Sequence, residues 1–173
     1  GYTVRKLVLT VDERLSLPAL LFVPENPRGP ATLYLHGTSM AADAAPGGPI
    51  ERRVQAGQVV LAAELRGIGE TETGHERRDY GYGRFGRDNQ EIYLAYLNGQ
   101  SFVGLRADDV RRWTQVLRGA ALTGRAPTEV HLTAVGEAAI PALHAAMLQP
   151  DAFQRVQLRR SIGSWEAVVT ATE

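Results

Sequence analysis

The residues best placed to do chemistry lie in EVHLTAVGEAAIPALHAA, positions 129–146. An apolar run gives way to glycine and then to an alanine-rich stretch, the pattern of a buried strand, a tight turn and a helix. Where such a turn reads G-x-S-x-G, its central serine is a nucleophile for acyl transfer, exposed by the sharpness of the turn. The corresponding residues here are Ala134, Val135, Gly136, Glu137 and Ala138, and Gly136 holds the serine position. Glycine supplies no hydroxyl. Glu137 lies one residue out of place and is a poor acyl-transfer nucleophile, while Thr133 lies within the strand. No catalytic residue is assigned.

Other constellations were weighed for replacement chemistry. His36, His75, His131 and His144 contain no H-x-x-x-H pair, the spacing that sets two imidazoles on one helical face, so no metal site is expected. The absence of cysteine removes thiolate ligands and disulfides. Ser101, in Gly99-Gln100-Ser101-Phe102-Val103-Gly104, precedes a helical pattern and reads as a helix N-cap. Gly67-Ile68-Gly69 follows a strand, as phosphate-cradling loops do. The only lysine is Lys6, which excludes a Walker loop, and Glu72 stands where a dinucleotide fingerprint needs its third glycine. No cofactor is expected. Arg106 and Asp109, at i and i+3 on a helix, are expected to pair with each other or to brace the neighbouring loop.

Residues 77–87 alternate arginine with aromatics, as single-strand nucleic-acid binders do, but Glu72, Glu76, Asp79 and Asp88 offset the charge. Across the chain 19 basic residues balance 19 acidic ones, which argues against a nucleic-acid or membrane-surface partner. No apolar run reaches the roughly 18–20 residues of a membrane span. No signal peptide is visible, and the compartment is left open. With 173 residues, 44% of them hydrophobic, the chain suits one domain.

The elements that must position these residues follow from periodicity. Strands are expected over 2–11 and 15–23, joined as a hairpin by Asp12-Glu13-Arg14, then over 31–35, 58–65, 129–135 and 155–162. Helices are expected near 49–56, with Pro49 in the first turn, and over 90–97, 103–117 and 138–148, with another starting at 164. A hairpin followed by alternating strands and helices predicts an α/β fold: a three-layer αβα sandwich with a mostly parallel sheet. Ligands of such sheets sit beyond the carboxyl ends of the strands, here loops 36–48, 66–89, 136–138 and 162–165.

Taken in order, LYLHG (33–37), LRGIGET (65–71), YLNGQSFVGLRADDVRRWTQVL (96–117), TAVGEAAIPALHAA (133–146) and RSIGSW (160–165) span nearly the whole chain. The set resembles the α/β-hydrolase superfamily, and within it the acetyl xylan esterase-like and dienelactone hydrolase-like branch. The resemblance implies an oxyanion hole, vestigial here, from backbone N–H groups at Gly37, Thr38 and Glu137. It also implies a pocket mouth with His36, Arg66, Glu70, Arg84 and Trp165 as lining candidates. In that family the catalytic acid and histidine follow strands 7 and 8, whereas residue 173 falls just after what reads as strand 6. The expectation is a truncated, degenerate form of the fold, a non-catalytic domain for binding, assembly or structure. The alternatives are a carboxylic-ester hydrolase of which this chain is a fragment, and a small-molecule module using the vestigial pocket for a carbohydrate ester. The resemblance favours export. The strand at 155–162 becomes a sheet edge with apolar flanks, so a partner is expected there: a second copy, a further C-terminal segment or a companion chain.

Overall fold

The structure, a computed structural model, describes residues 1–72, 89–164, 166 and 170. Strands β1 (Tyr2–Thr10) and β2 (Ser16–Pro24) form the hairpin, in register from Tyr2 opposite Pro24 to Thr10 opposite Ser16. Asp12 closes its turn: one carboxylate oxygen accepts from the backbone N–H groups of Arg14 and Leu15, at 2.8 and 3.0 Å. Four further strands complete the sheet: β3 (Ala31–His36), β4 (Val60–Ala63), β5 (Val130–Val135) and β6 (Arg155–Arg159). The sheet order is β1-β2-β4-β3-β5-β6. β2 runs antiparallel to β4, whereas β4, β3, β5 and β6 are mutually parallel.

The helices among the described residues include α1 (Pro49–Gln55), α2 (Asn89–Leu97), α3 (Phe102–Arg118) and α4 (Ala139–Leu148), of which α1, α3 and α4 pack on the sheet and α2 contacts α3. α3 buries Phe102, Arg106, Ala107, Asp109, Val110, Trp113, Thr114 and Leu117, a stripe at helical spacing. Its N-cap is Ser101, whose Oγ accepts from the Gly104 N–H at 3.2 Å, the role read from sequence. One sheet face packs Leu17, Leu21, Leu33, Leu35, Leu61 and Leu132 against α3 and the alanines of α4. The other packs Phe22, Tyr34, Val60, Ala62 and Val135 beneath Ile50 and Val54 of α1. Strand alternation sorts these two sets, giving three layers.

Several boundaries differ from expectation. β6 ends at Arg159 rather than 162, because Arg160 has φ 51°, a left-handed conformation that ends extended pairing. β4 is four residues rather than eight, since both neighbours pair with it only along Val60–Ala63. The helix expected from 138 begins at Ala139, after a 3₁₀ turn over Gly136–Ala138. The helix expected from 164 falls largely outside the described residues, as do His75 and residues 77–87.

One buried carboxylate ties the loops at the carboxyl end of the sheet. Glu64, just past β4, is 1% exposed. Its Oε1 accepts from the Met40 N–H at 3.1 Å in the loop after β3, and its Oε2 from the Glu70 N–H at 2.7 Å in the loop after β4. The space it fills is left by Gly69, where an added Cβ would lie 2.0 Å from Oε1. Its backbone carbonyl accepts the Trp113 indole N–H at 3.0 Å, so α3 joins the same knot. Burial pushes the Glu64 carboxyl pKa up, and the backbone N–H bonds partly oppose that. A raised pKa means the folded state binds this proton more tightly than the unfolded chain. The group's contribution to stability is therefore fullest below its unfolded pKa and falls as pH rises through its folded one. Glu64→Gln places an amide NH₂ against one of two N–H donors. Urea unfolding at pH 7 is expected to show a loss of about 1–3 kcal/mol, although the substitution is nearly isosteric.

Candidate functional site

Three loops meet beyond the carboxyl ends of β3, β4 and β5. The pairing of His36 with Val135 sets the first and third side by side, and the Gly37 N–H donates to the Val135 carbonyl at 2.9 Å. Gly136 follows with φ +65°, the left-handed conformation that opens a sharp strand-to-helix turn. A Cβ built on Gly136 meets nothing within 4 Å. The turn is thus left-handed, and the space above its Cα is open.

Gly37 is held for a different reason. A Cβ there would stand 2.7 Å from the Glu137 backbone nitrogen, so the loop after β3 and the elbow touch at that point. Gly37 and Glu137, two members of the expected oxyanion hole, are thus brought together. The third, Thr38, is exposed, and its N–H points at the His36 ring, donating to Nδ1 at 3.2 Å. The Thr38 hydroxyl lies 2.9 Å from the same nitrogen. Among the described residues no carboxylate pairs with His36, so this hydroxyl–imidazole contact has no third group to orient it.

The lining candidates fall into separate places. His36 is half-buried at the end of β3, and Glu70 is exposed, its backbone N–H given to Glu64. Arg66 turns its side chain inward. Its Nε and Nη2 form a bidentate pair with the two carboxylate oxygens of Asp109, at 2.9 and 2.6 Å, and its backbone N–H adds a third bond at 3.1 Å. The Asp109 side chain is 0% exposed, and its carboxylate holds the Arg66 guanidinium still more firmly in the charged form. Arg84 and Trp165 lie outside the described residues.

Of the two roles weighed for Arg106 and Asp109, the structure shows bracing. Asp109 takes Arg66, and Arg106 donates to the carbonyls of Arg66 and Gly67 at 2.9 and 3.2 Å while lying 4.5 Å from the Phe102 ring centroid. Residue types and spacing marked α3 as the brace, but the partner was on another element. Glu64 was not singled out from sequence. Its signal was available: a carboxylate closing the apolar run VVLAA, at residues 59–63.

No family model matches the chain, and no curated protein matches it. Solved structures do. A dienelactone hydrolase from Anabaena variabilis superposes with a TM-score of 0.56 at 21% identity, over 91% of this chain and 62% of its own. A candidate acetyl xylan esterase from Bacteroides fragilis gives 0.63 at 15% identity, over 90% of this chain and 44% of its own. An α/β-hydrolase from Penicillium gives 0.59 at 18% identity, over 90% and 45%. This chain therefore spans less than two thirds of the length of each of these structures. The sheet order, the antiparallel β2, the glycine elbow after β5 and these superpositions together establish that the chain has the α/β-hydrolase fold.

Proposed function

We propose that this chain is a non-catalytic α/β-hydrolase-fold domain serving binding or assembly. The observation that carries this reading is Gly136: at the nucleophile position the backbone is left-handed, the space above it is open, and no side chain fills it. Acyl transfer needs a group that attacks, a base that activates it and donors for the oxyanion. Gly37 and Glu137 meet where donors would belong, but no attacking group rises from the elbow.

One contact favours a second reading, a carboxylic-ester hydrolase of which this chain is a part. The Thr38 hydroxyl at the His36 imidazole is the pairing from which a weak nucleophile could be built, and the neighbours include a dienelactone hydrolase and a candidate acetyl xylan esterase. The third reading, a binding module for a carbohydrate ester, uses the same loops. Purified chain incubated with a chromogenic acetate ester is expected to release no product above the buffer rate. Turnover that a fluorophosphonate or His36→Gln abolishes would sink the non-catalytic reading. Gly136→Ser is expected to fold, since no atom obstructs its Cβ, at a cost of about 1–2 kcal/mol for a non-glycine residue in the left-handed region. Chemical denaturation measures that loss. A much larger one would show that the open space above the elbow is not there.

The assembly part of the proposal rests on β6, which among the described residues is an edge strand of the sheet. Val156 and Leu158 point to the α4 side. There Ile140, Leu143, Met147 and Ile162 help line an open, largely apolar groove of about 540 Å³. Arg155, Gln157 and Arg159 point to the α1 side. A second copy pairing antiparallel about Gln157 would set Arg155 opposite Arg159, a repulsive arrangement. A companion strand with apolar residues toward α4 and acidic or polar ones toward α1 fits better. Without it the edge is an aggregation liability. Light scattering is expected to show concentration-dependent, non-stoichiometric association of the isolated chain, reduced by Leu158→Lys. A clean monomer at high concentration counts against a partner at this edge.

A further inference from the structure

A second concave site lies on the α1 face, toward the amino ends of the parallel strands and away from the elbow. Strand register aligns Thr32 with His131 and His131 with Arg155, and in the next row Tyr34 with Thr133 and Thr133 with Gln157. Over these rows Arg53 extends from α1. Its Nη2 donates to Thr133 Oγ1 at 3.2 Å and to Gln157 Oε1 at 3.0 Å, and its guanidinium carbon lies 5.6 Å from the Tyr34 ring centroid. Thr32, Arg53, Gln58, His131, Thr133, Arg155 and Gln157 help line an open pocket of about 220 Å³.

The lining of this pocket is rich in hydrogen-bond donors. Three lining acceptors are engaged, Thr133 Oγ1 and Gln157 Oε1 by Arg53 and Gln58 Oε1 by the Thr32 hydroxyl at 3.0 Å, and the His131 ring, whose pKa burial lowers, also lines the pocket. The lining retains donors, namely the other guanidinium N–H groups of Arg53, the whole guanidinium of Arg155, and the amide NH₂ groups of Gln58 and Gln157. Arg52, Arg155 and Arg159 add positive charge around Arg53, which burial already disfavours in its charged form. The carboxylate at the margin is Glu129, 3.8 Å from His131 Nε2 and 55% exposed. Among the described residues no carboxylate makes an ion pair with Arg53, Arg155 or Arg159. In a chain with no net charge, this is a local concentration of cations and donors around one small pocket.

We propose that this cavity binds a small tetrahedral oxyanion, the phosphoryl group of inorganic phosphate or of a small monoester. Arg53 and Arg155 are its cationic ligands, and Gln58 and Gln157 its amide donors. A planar guanidinium suits two-point recognition of such a group, and charge-assisted bonds to it are the strong ones. The volume is below the roughly 300–1,000 Å³ typical of drug-sized ligands, which suits an anion carrying few further atoms. The site shares no residue with the elbow, so it stands whether or not the domain is catalytic.

Calorimetric titration at constant ionic strength tests it, with inorganic phosphate, phenyl phosphate, acetate and chloride as separate arms. Saturable one-to-one binding of phosphate is expected, with chloride inert and acetate weaker. Tighter binding of phenyl phosphate assigns the monoester as the ligand, and preference for inorganic phosphate assigns the free anion. Arg155→Ala, a change at an exposed side chain, is expected to weaken binding about tenfold or more, and Arg53→Gln to abolish it. Should Arg53→Gln fail to fold, Arg155→Ala decides alone. Phosphate behaving like chloride, or binding to Arg155→Ala as tightly as to the natural chain, overturns the proposal.

Discussion

A carboxylate removed from water organises the working end of this molecule. Glu64 holds one N–H from the loop after β3 and one from the loop after β4, while its own carbonyl holds the indole of α3. Burying a charge costs several kcal/mol unless donors surround it, so the two loops are required as much as they are held. The bidentate Arg66–Asp109 pair and the Arg106 bonds to two carbonyls repeat this logic a few residues on. The polypeptide from 36 to 71 is thereby anchored to α3 at several points. The pairing of β3 with β5, extended by the Gly37 N–H bond to Val135, sets the Gly37 loop against the turn after β5.

Such a frame separates two requirements that an active enzyme meets together. The elbow needs a left-handed residue in a tight turn, and it needs a nucleophile there. Gly136 meets the first at no steric cost. An active elbow must instead place a side-chain-bearing residue in that strained conformation. Fold and chemistry are separable in general, so the fold by itself assigns no reaction to this chain. The loop after β3 and the turn after β5 pack closely enough that Gly37 admits no side chain.

The sheet is chemically asymmetric at its β6 end. Alternation sends Val156 and Leu158 toward the alanine-rich α4 side and Arg155, Gln157 and Arg159 toward the α1 side. One face therefore offers an apolar groove and the other a donor-rich cavity, from the same five residues. A two-residue period is enough to give one strand two chemically different faces.

Much of the architecture could be read without coordinates because it follows from local periodicity. Short apolar runs alternating with helical stripes require a covered parallel sheet, and Ser101 announced the start of α3 through its own cap chemistry. The elbow's missing hydroxyl was equally legible, since a residue type is a property of sequence. Tertiary structure decided the rest, because it depends on which side chains meet across elements. Asp109 found Arg66 from another loop, and Arg160 ended β6 by its backbone angle. Arg53 crossed a sheet face to Gln157, 104 positions along the chain. Local periodicity determines the elements and the sides they present; long-range electrostatic pairing, which no spacing encodes, determines how the loops between them are held.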